Sequence, residues 1–351
     1  MSVLPETMNA AILYGKEDLR IERIPVPRAE PGGLLLKIEG ALTCGTDLKV
    51  YKRGYHAAML TPPSRFGHEM TGTVVGLGAG AVSDTAPNIA MGERIVVANS
   101  APCGSCAYCR RGQENLCDDL KFLNGAYAEY LAVPERFVRR NIWRIPAHLS
   151  MRVAAMTEPL ACVVHGLQET SPRAGDTAAV IGLGPIGLYW IALLKHAGCR
   201  VIGIGRREAR LAAALALGAE IIETDAKGAW VEKARSLCDF DVVIEATGQP
   251  AVWEQAVALV RKGGVVNLFG GPPSGTRVSF ETNRLHYSQI TLKSSFHHRP
   301  AAIQAALEFL AAGVVPAAPF ISGTRKLDEL PQLFREMCAA QEAVKTEIRV
   351  R

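Results

Sequence analysis

The sequence predicts an α/β protein that contains a doubly wound parallel sheet, and its length predicts about two domains. The chain has 351 residues, and a domain commonly holds roughly 100–200 residues. From residue 177 onwards, short apolar runs alternate with segments of helical pattern. Strands that alternate with helices in this way form a parallel sheet with helices on both faces.

The elements of this region are predicted from local patterns. Thr177–Ile181 is short and apolar, so it predicts a buried strand. After a glycine-rich turn, Pro185–His196 predicts an apolar helix and Arg200–Ile204 predicts the next strand. The alternation then continues with "DFDVVIEATG" as a strand, "AVWEQAVALVRKGG" as an amphipathic helix closed by Gly263, "GVVNLFGG" as a strand and "QITLKSSF" as the last strand.

Composition and charge favour some partner classes over others. The net charge is only +5, and the longest basic clusters are pairs such as Arg139–Arg140, so we expect no nucleic-acid partner. The uncharged stretch 177–194 is interrupted by glycine and proline, and "MSVLPETMNA" lacks a signal-peptide pattern. We therefore expect no membrane partner, a cytoplasmic protein and reduced cysteines.

The stretch "APCGSCAYCRRGQENLCDDL" concentrates four cysteines in the pattern C-x2-C-x2-C-x7-C. These residues are Cys103, Cys106, Cys109 and Cys117. Four thiolates satisfy tetrahedral zinc, and a site with no open position is structural. A bacterial ferredoxin cluster would need C-x2-C-x2-C-x3-C-P; the last gap here is longer and Asp118 follows it. The spacing therefore favours a structural zinc site.

A second group of possible metal ligands is spread along the chain. "ALTCGTD" contains Cys44, "RFGHEMTG" contains His68 and Glu69, and "MTEPLACVVHG" contains Glu158. Cysteine, histidine and carboxylate ligate catalytic zinc, which keeps one position open. Each residue alone also has an ordinary structural explanation, such as a core cysteine or a carboxylate at a helix start. Their occurrence together with the four-cysteine loop favours a catalytic zinc site.

A glycine motif follows the strand Thr177–Ile181. Gly182, Gly184 and Gly187 form G-x-G-x-x-G, with Pro185 and Ile186 inside it. In a strand–turn–helix–strand context, such glycines allow a tight turn, close approach of a pyrophosphate and close helix packing. The helix N-terminus then faces the phosphates. The motif predicts a dinucleotide-binding site.

The residues after the second strand indicate which dinucleotide binds. NAD-binding proteins carry an acidic residue there, whereas an arginine accommodates the 2′-phosphate of NADP. This chain has Gly205, Arg206 and Arg207 at that position, and its first carboxylate is Glu208. The alternative is that the arginines only solvate a helix start and NAD is accepted. The sequence favours NADP over NAD.

Residues at the carboxyl ends of the next two strands are further candidates for cofactor contacts. Ligands bind at these ends in parallel sheets. The residues placed there are Thr247, Gly248, Phe269 and Gly270.

The chain as a whole resembles the zinc-dependent medium-chain dehydrogenase/reductase family, in its polyol (sorbitol/threonine) branch. The resemblance rests on seven motifs in order: "CGTD", "GHEMTGTVVGLGAG", "GERIVV", "CGSCAYCRRGQENLC", "GAYAEYLAVP", "EPLACVVHG" and "GLGPIG". It implies a GroES-like, β-rich catalytic domain at 1–156 and 295–351, with a structural-zinc lobe at 100–120. It also implies a Rossmann dinucleotide-binding domain at 157–294.

The resemblance also implies roles for single residues. Cys44 and His68 would ligate the catalytic zinc, and Glu69 would be a third ligand or exchange with water. Glu158 would bind the zinc directly or through water. Asp47 would orient His68 from behind.

The resemblance further implies that Thr46 contacts the substrate hydroxyl and passes on its proton. Many family members have a histidine in the relay where this chain has Lys49. Lys49 or water could replace it, or Lys49 could be an ordinary surface lysine. The exit route of the proton is therefore open.

The expected activity is hydride transfer between a secondary alcohol of a polyol, sugar or cyclitol and the nicotinamide cofactor, with two zinc ions per chain. Alternatives are an amino-hydroxy acid or simple alcohol as substrate, a reductase without catalytic metal, or a non-catalytic dinucleotide-binding protein. Candidates for contacts to the substrate are Tyr51, Phe66, Arg284, His286, His297 and His298. The resemblance implies a homo-oligomer, either a dimer or a tetramer.

Overall fold

The structure, a computed structural model, describes residues 4–224, 229–339 and 343–351. It divides into two compact units. The first unit comprises Met1–Ala161, His298–Ala312 and Ile321–Arg351, and the second comprises Cys162–His297 and Gly313–Phe320. The sequence prediction placed the divisions at 156/157 and 294/295 and gave 313–320 to the first unit. This last segment belongs to the second unit because the Phe320 ring stacks on Tyr189, with 4.4 Å between centroids.

The strands are numbered along the chain. They are β1 Thr7–Gly15, β2 Asp18–Pro25, β3 Leu34–Leu42, β4 Ser64–Arg65, β5 Glu69–Leu77, β6 Arg94–Val97, β7 Ser100–Ala101, β8 Lys121–Phe122, β9 Tyr130–Val133, β10 Ile142–Arg144, β11 Thr177–Ile181, β12 Arg200–Gly205, β13 Glu220–Glu223, β14 Phe240–Glu245, β15 Val260–Leu268, β16 Thr291–Lys293, β17 Ile321–Lys326 and β18 Lys345–Arg349.

The helices are numbered in the same way. They are α1 Gly45–Arg53, α2 Ala107–Arg110, α3 Glu135–Arg140, α4 Met151–Ala154, α5 Thr157–Thr170, α6 Pro185–His196, α7 Glu208–Ala216, α8 Trp230–Leu237, α9 Pro250–Leu259, α10 Thr282–Tyr287, α11 Pro300–Ala311 and α12 Leu330–Ala339. No helix within the described ranges is long and apolar enough to cross a membrane.

The first unit is built on β-sheets. Its main sheet has the order β10-β6-β5-β3-β18-β17, with β9 also paired to β3. The C-terminal strand β18 therefore lies beside β3, where Glu347 is the partner of Leu42. This pairing places the start of β18 next to the end of β3, which leads directly into Cys44 and α1. The arrangement positions the metal site described below.

An aromatic cluster fills the core of the first unit. Tyr51 and Phe66 are 2% and 1% exposed, and their rings lie 5.3 Å and 5.4 Å from that of Phe334. Tyr127 packs edge-on against Phe66 at 5.9 Å. The sequence suggested that Tyr51 and Phe66 contact the substrate. This prediction is wrong, because both aromatic rings pack in the core.

The second unit contains a parallel sheet of order β13-β12-β11-β14-β15-β16, which confirms the predicted doubly wound α/β class. Strand β11 and helix α6 have the predicted bounds. The predicted helix ending at Gly263 is wrong in its last turn, since α9 ends at Leu259 and Val260 begins β15. Val260 pairs with Phe240 of β14, and Arg261 forms an ion pair with Asp241 at 2.6 Å. Strand pairing thus overrides the helical pattern.

Candidate active site and metal centres

Cys44 lies between β3 and α1 and caps the helix. Its backbone is extended, and its Sγ accepts a hydrogen bond from the Thr46 amide at 3.4 Å. The Thr46 amide thus fixes the position of the sulfur at the start of α1. The ligand atoms of Cys44, His68 and Glu69 all lie within 4.8 Å of one another. The structure therefore brings together three of the predicted ligands.

The ring of His68 is bonded to the carboxylate of Asp47. The His68 Nδ1 lies 2.8 Å from Asp47 Oδ1, and the Tyr127 hydroxyl donates to Asp47 Oδ2 at 2.6 Å. Burial opposes the charged imidazole, but the Asp47 carboxylate raises the pKa of His68 well above its ordinary value. Asp47 bonded to Nδ1 leaves Nε2 to act as a ligand. Tyr127 was missed because nothing in the local sequence distinguishes it from a core tyrosine.

Glu69 is paired with a lysine from the far end of the chain. Lys345 Nζ lies 2.6 Å and 2.5 Å from the two carboxylate oxygens of Glu69, and both side chains are at most 1% exposed. Nζ also donates to the Thr43 carbonyl at 3.0 Å. Burial favours the neutral forms, yet Glu69 raises the pKa of Lys345 above its ordinary value. Both oxygens of Glu69 are thus bonded to Lys345, a residue that the sequence analysis did not identify.

Glu158 lies in the first turn of α5 and is buried. Its Oε1 is 3.7 Å from His298 Nε2, and the same nitrogen lies 2.9 Å from Asn99 Oδ1. Burial raises the pKa of Glu158 to about 7. His298, one of the suggested polar residues, is thus a buried neighbour of Glu158, and Asn99 is a partner that the sequence analysis missed.

The four cysteines of the loop lie together as free thiols. Cys109 Sγ lies 3.5 Å from Cys106 Sγ and 3.9 Å from Cys103 Sγ. Sulfurs about 2.3 Å from a tetrahedral zinc are separated by roughly 3.8 Å, so the spacing fits this metal. The amides of Ser105 and Cys106 lower the pKa of Cys103 to about 6. The loop is therefore arranged to hold thiolates around one centre.

The glycine motif adopts the geometry that a dinucleotide requires. Gly182 has φ +99°, a conformation that side chains disfavour. A Cβ at Gly187 would lie 1.9 Å from the Gly182 carbonyl oxygen, so only glycine allows α6 to pack this closely. A Cβ at Gly184 would meet only Arg210 Nη1, at 3.9 Å. The motif leaves room for a phosphate, and Arg210 is a cation beside it that the sequence analysis did not name.

Gly205 ends β12 and has the Leu183 side chain beneath it, so a Cβ there would lie 2.8 Å from Leu183 carbons. Arg206 and Arg207 follow directly and lead into α7. The position thus lacks a carboxylate, and bulk at Gly205 would displace the glycine loop. Burial, followed by the charges of Arg207 and Arg206, lowers the pKa of Arg210 to about 10.

A buried carboxylate organises the predicted cofactor residues at the end of β14. Glu245 accepts from the Thr247 amide at 2.6 Å, from the Thr247 hydroxyl and from the Gly248 amide at 3.1 Å. A Cβ at Gly270 would lie 2.7 Å from Glu245 Oε2. Phe269 packs edge-on against Trp190 at 5.6 Å. Glu245 thus joins two of the loops that the sequence placed near the cofactor.

Two residues of the predicted proton route lie on α1. Thr46 is half-buried, while Lys49 faces solvent. An exposed lysine is ordinarily solvated, which favours the interpretation of Lys49 as a surface residue.

The comparisons with known proteins agree with this geometry. The chain matches the alcohol dehydrogenase GroES-like domain over residues 30–146 and the zinc-binding dehydrogenase family over residues 185–312. It is 29% identical to sorbitol dehydrogenase of Bacillus subtilis (strain 168), covering 93% of this chain and 92% of that protein. It is 30% identical to L-threonine 3-dehydrogenase of Bacillus velezensis, covering 92% of each.

A solved structure is also similar over the whole chain. It is a zinc-binding dehydrogenase from Sinorhizobium meliloti 1021 bound to NADP, with 30% identity, a TM-score of 0.88, and 98% of this chain and 99% of that chain covered. These similarities and the donor sets above favour an enzyme over the non-catalytic alternative. The chain belongs to the zinc-dependent medium-chain dehydrogenase family, in its polyol-type branch, and is a zinc- and nicotinamide-dependent alcohol dehydrogenase.

Proposed function

We propose that the enzyme transfers a hydride between a secondary alcohol of a polyol, sugar or cyclitol and NADP, and that it holds two zinc ions. The observation that carries the substrate proposal is the buried carboxylate Glu158 in the first turn of α5, because a glutamate in this motif is the feature by which the chain resembles the polyol branch. The similarity to a sorbitol dehydrogenase supports the same substrate class.

Cys44 and His68, with Glu158 or Glu69, would hold the catalytic zinc, and the four cysteines of the loop would hold the structural zinc. When bound, the catalytic ion supplies a Lewis acid that lowers the pKa of a substrate hydroxyl. Because Lys345 occupies both oxygens of Glu69, Glu158 is the carboxylate that is more readily available to the metal.

The chain's own residues perform the remaining tasks. Asp47 keeps His68 in one orientation, and Lys345 neutralises the buried charge of Glu69. The Thr46 hydroxyl accepts the proton of the substrate alcohol as it gives its own proton to water; Lys49 faces solvent on the same helix. Glu245 holds the Thr247–Gly248 turn in place for the nicotinamide cofactor.

The preference for NADP is proposed from Arg206 and Arg207 after β12, where no carboxylate repels a 2′-phosphate. The similar Sinorhizobium enzyme, which binds NADP, supports it. We expect Arg206→Ala to raise KM for NADP about 10- to 100-fold, the range of a lost charged hydrogen bond, and KM for NAD much less. Arg200→Ala, at the opposite end of β12, is the matched control. Equal changes for both cofactors would refute phosphate recognition by Arg206.

The substrate proposal is tested by initial rates of cofactor reduction with sorbitol-type polyols, cyclitols, L-threonine and ethanol, each with NADP and with NAD. We expect the highest kcat/KM with a polyol or cyclitol. An amino-hydroxy acid is the second candidate, since the chain is equally similar to an L-threonine 3-dehydrogenase. Faster turnover of L-threonine than of any polyol would replace the first proposal with the second.

We also propose that the chain forms a homo-oligomer, either a dimer or a tetramer. Strand β16 pairs with β15 and is an edge of its sheet within the described residues. Tyr287 and Phe296, on either side of this strand, are 77% and 59% exposed. Exposed apolar rings beside a sheet edge favour association. Light scattering during gel filtration should give a multiple of 37.7 kDa; a single-chain mass would reject the proposal.

A further inference from the structure

Two adjacent residues, His298 and Arg299, make contacts with different parts of the first unit. The His298 imidazole lies 3.7 Å from the Glu158 carboxylate and 2.9 Å from Asn99 Oδ1. The Arg299 guanidinium donates to the Gly112 carbonyl at 2.9 Å. Gly112 lies in the loop of residues 100–120, which we call the cysteine lobe. One dipeptide thus contacts both the catalytic carboxylate and the lobe.

The contact at Gly112 joins the turn that carries a metal ligand. The Gly112 amide donates to the Cys109 carbonyl at 3.1 Å, while its own carbonyl accepts from Arg299. A metal that fixes Cys109 therefore also fixes the carbonyl to which Arg299 is bonded. Arg299 is in turn the N-cap of α11, so its backbone position is set by a regular helix.

The contact at Asn99 reaches the base of the same lobe. Asn99 immediately precedes β7, and its carbonyl accepts from the Leu123 amide at 2.8 Å, just after β8. Strands β7 and β8 pair with each other, Ser100 with Phe122. The chain therefore enters and leaves the lobe at Asn99, whose side chain is bonded to His298. Both ends of the His298–Arg299 dipeptide are thus attached to the cysteine lobe.

We propose that His298 and Arg299 form a brace through which the metal-bound cysteine lobe positions Glu158. The lobe then has a second role besides stability, because its conformation determines where the catalytic carboxylate lies. His298 is 2% exposed and Asn99 is 2% exposed, so neither side chain can exchange its partner for water without displacing neighbours. The brace rests on the proposed function only in that Glu158 is taken as part of the catalytic zinc site.

Arg136 provides a matched control. It also binds the cysteine lobe, since its Nη1 donates to the Asp119 carbonyl and to Asp119 Oδ2, both at 2.8 Å. Arg136 lies on α3, whereas Arg299 directly follows His298, the neighbour of Glu158. A change in Arg136 therefore removes a contact at Asp119 and leaves the contacts of His298 and Arg299 with the lobe in place.

The experiment compares Arg299→Ala and Arg136→Ala in the holoenzyme, with cobalt substituted at the catalytic site. We expect Arg299→Ala to shift the visible absorption of the catalytic cobalt and to lower kcat about 3- to 30-fold, the usual range of such couplings. KM for the cofactor and the metal content should stay unchanged. Arg136→Ala should leave the cobalt spectrum and kcat unchanged.

Asn99→Ala gives a second test from the other end of the brace. It should produce the same spectral shift, and in the double variant the effects should be less than additive, because both residues act through His298. An unshifted cobalt spectrum in Arg299→Ala, or an equal shift in Arg136→Ala, would overturn the brace. The spectrum needs no substrate, so failure of the proposed substrate class, seen as no turnover by the parent enzyme, is distinguishable from failure of the brace.

Discussion

The two candidate metal centres are built in opposite ways. In the cysteine lobe, all four candidate ligands lie between residues 103 and 117, three are half-exposed, and backbone amides of the same loop stabilise the thiolate of Cys103. In the proposed catalytic site, the candidate ligands come from separate segments: Cys44, His68 and Glu69 lie together, whereas Glu158 lies in a second group with His297 and His298. Three of these candidate ligands have a partner that is distant in sequence. The partners are Asp47 for His68, Lys345 for Glu69 and His298 for Glu158.

The two centres should therefore respond differently to substitutions. A local loop can form its site whenever its own turns are intact, so its loss should mainly reduce stability. A distributed site exists only when distant strands pair correctly, and its ligands depend on buried partners. Substitutions at the two centres should therefore separate activity from stability.

The largest expected difference is between Cys44→Ser and Cys106→Ser. We expect Cys44→Ser to lower kcat at least about 1000-fold, because the metal contributes several kcal/mol to the transition state, with little change in Tm. Cys106→Ser should lower Tm or dissociate the oligomer first, and reduce turnover of the folded protein about 30-fold at most. Initial rates and thermal unfolding measure both. If Cys106→Ser stayed stable yet lost all turnover, the roles of the two centres would be reversed.

Removing one partner of the buried Lys345–Glu69 ion pair should lower the free energy of unfolding more than breaking an exposed ion pair. Removing one partner of a buried pair costs about 3–5 kcal/mol in unfolding free energy, since the other charge stays buried. We therefore expect urea unfolding of Lys345→Met to show a loss of this size, partly restored by adding Glu69→Gln. Arg200→Gln, which breaks the exposed pair with Glu220, should cost less than about 1 kcal/mol. Equal losses in both single variants would contradict this account.

The two centres also differed in how far the sequence could predict them. The four cysteines and the glycines 182, 184 and 187 form local patterns, so their spacing alone predicts these sites.

Lys345 could not be predicted from the sequence, because it reaches Glu69 only through the pairing of β18 with β3. Glu245 carried a weak signal as a carboxylate at a strand end before Thr247 and Gly248. The sequence predicts a helix at the start of β15 because Val260 fits a helical pattern, but in the structure Val260 pairs with Phe240 in the sheet.

The Asp47–His68 contact should set the affinity of the distributed site. We expect Asp47→Asn to weaken metal binding about 10- to 100-fold, since such outer partners orient the ligand and set its tautomer. Competition with a chromogenic chelator measures this. Asp84→Asn, in an exposed pair with Arg140, is the control and should leave affinity unchanged. If both variants bound the metal with the same affinity, Asp47 would have no role in metal binding.

The smallest effect that we expect is a difference in the rate of alkylation between thiols of the cysteine lobe, once a chelator has removed the metal. The pKa of Cys103 is lowered to about 6 by two backbone amides, whereas burial raises that of Cys109 to about 12. Thiolates are the reactive form, so alkylation of Cys103 should rise with pH, reach half its maximum near pH 6, and precede that of Cys109. Peptide mass spectrometry measures the order. Restored zinc should protect both; earlier modification of Cys109 would contradict the assignment.

The most direct test of two separate centres is the zinc content per chain of the parent enzyme, Cys44→Ser and Cys106→Ser, measured by mass spectrometry of the metal. We expect two zinc ions in the parent and one in each variant, with turnover in Cys106→Ser but not in Cys44→Ser. A parent with a single zinc, or a variant that loses both ions while still folded, would contradict this expectation.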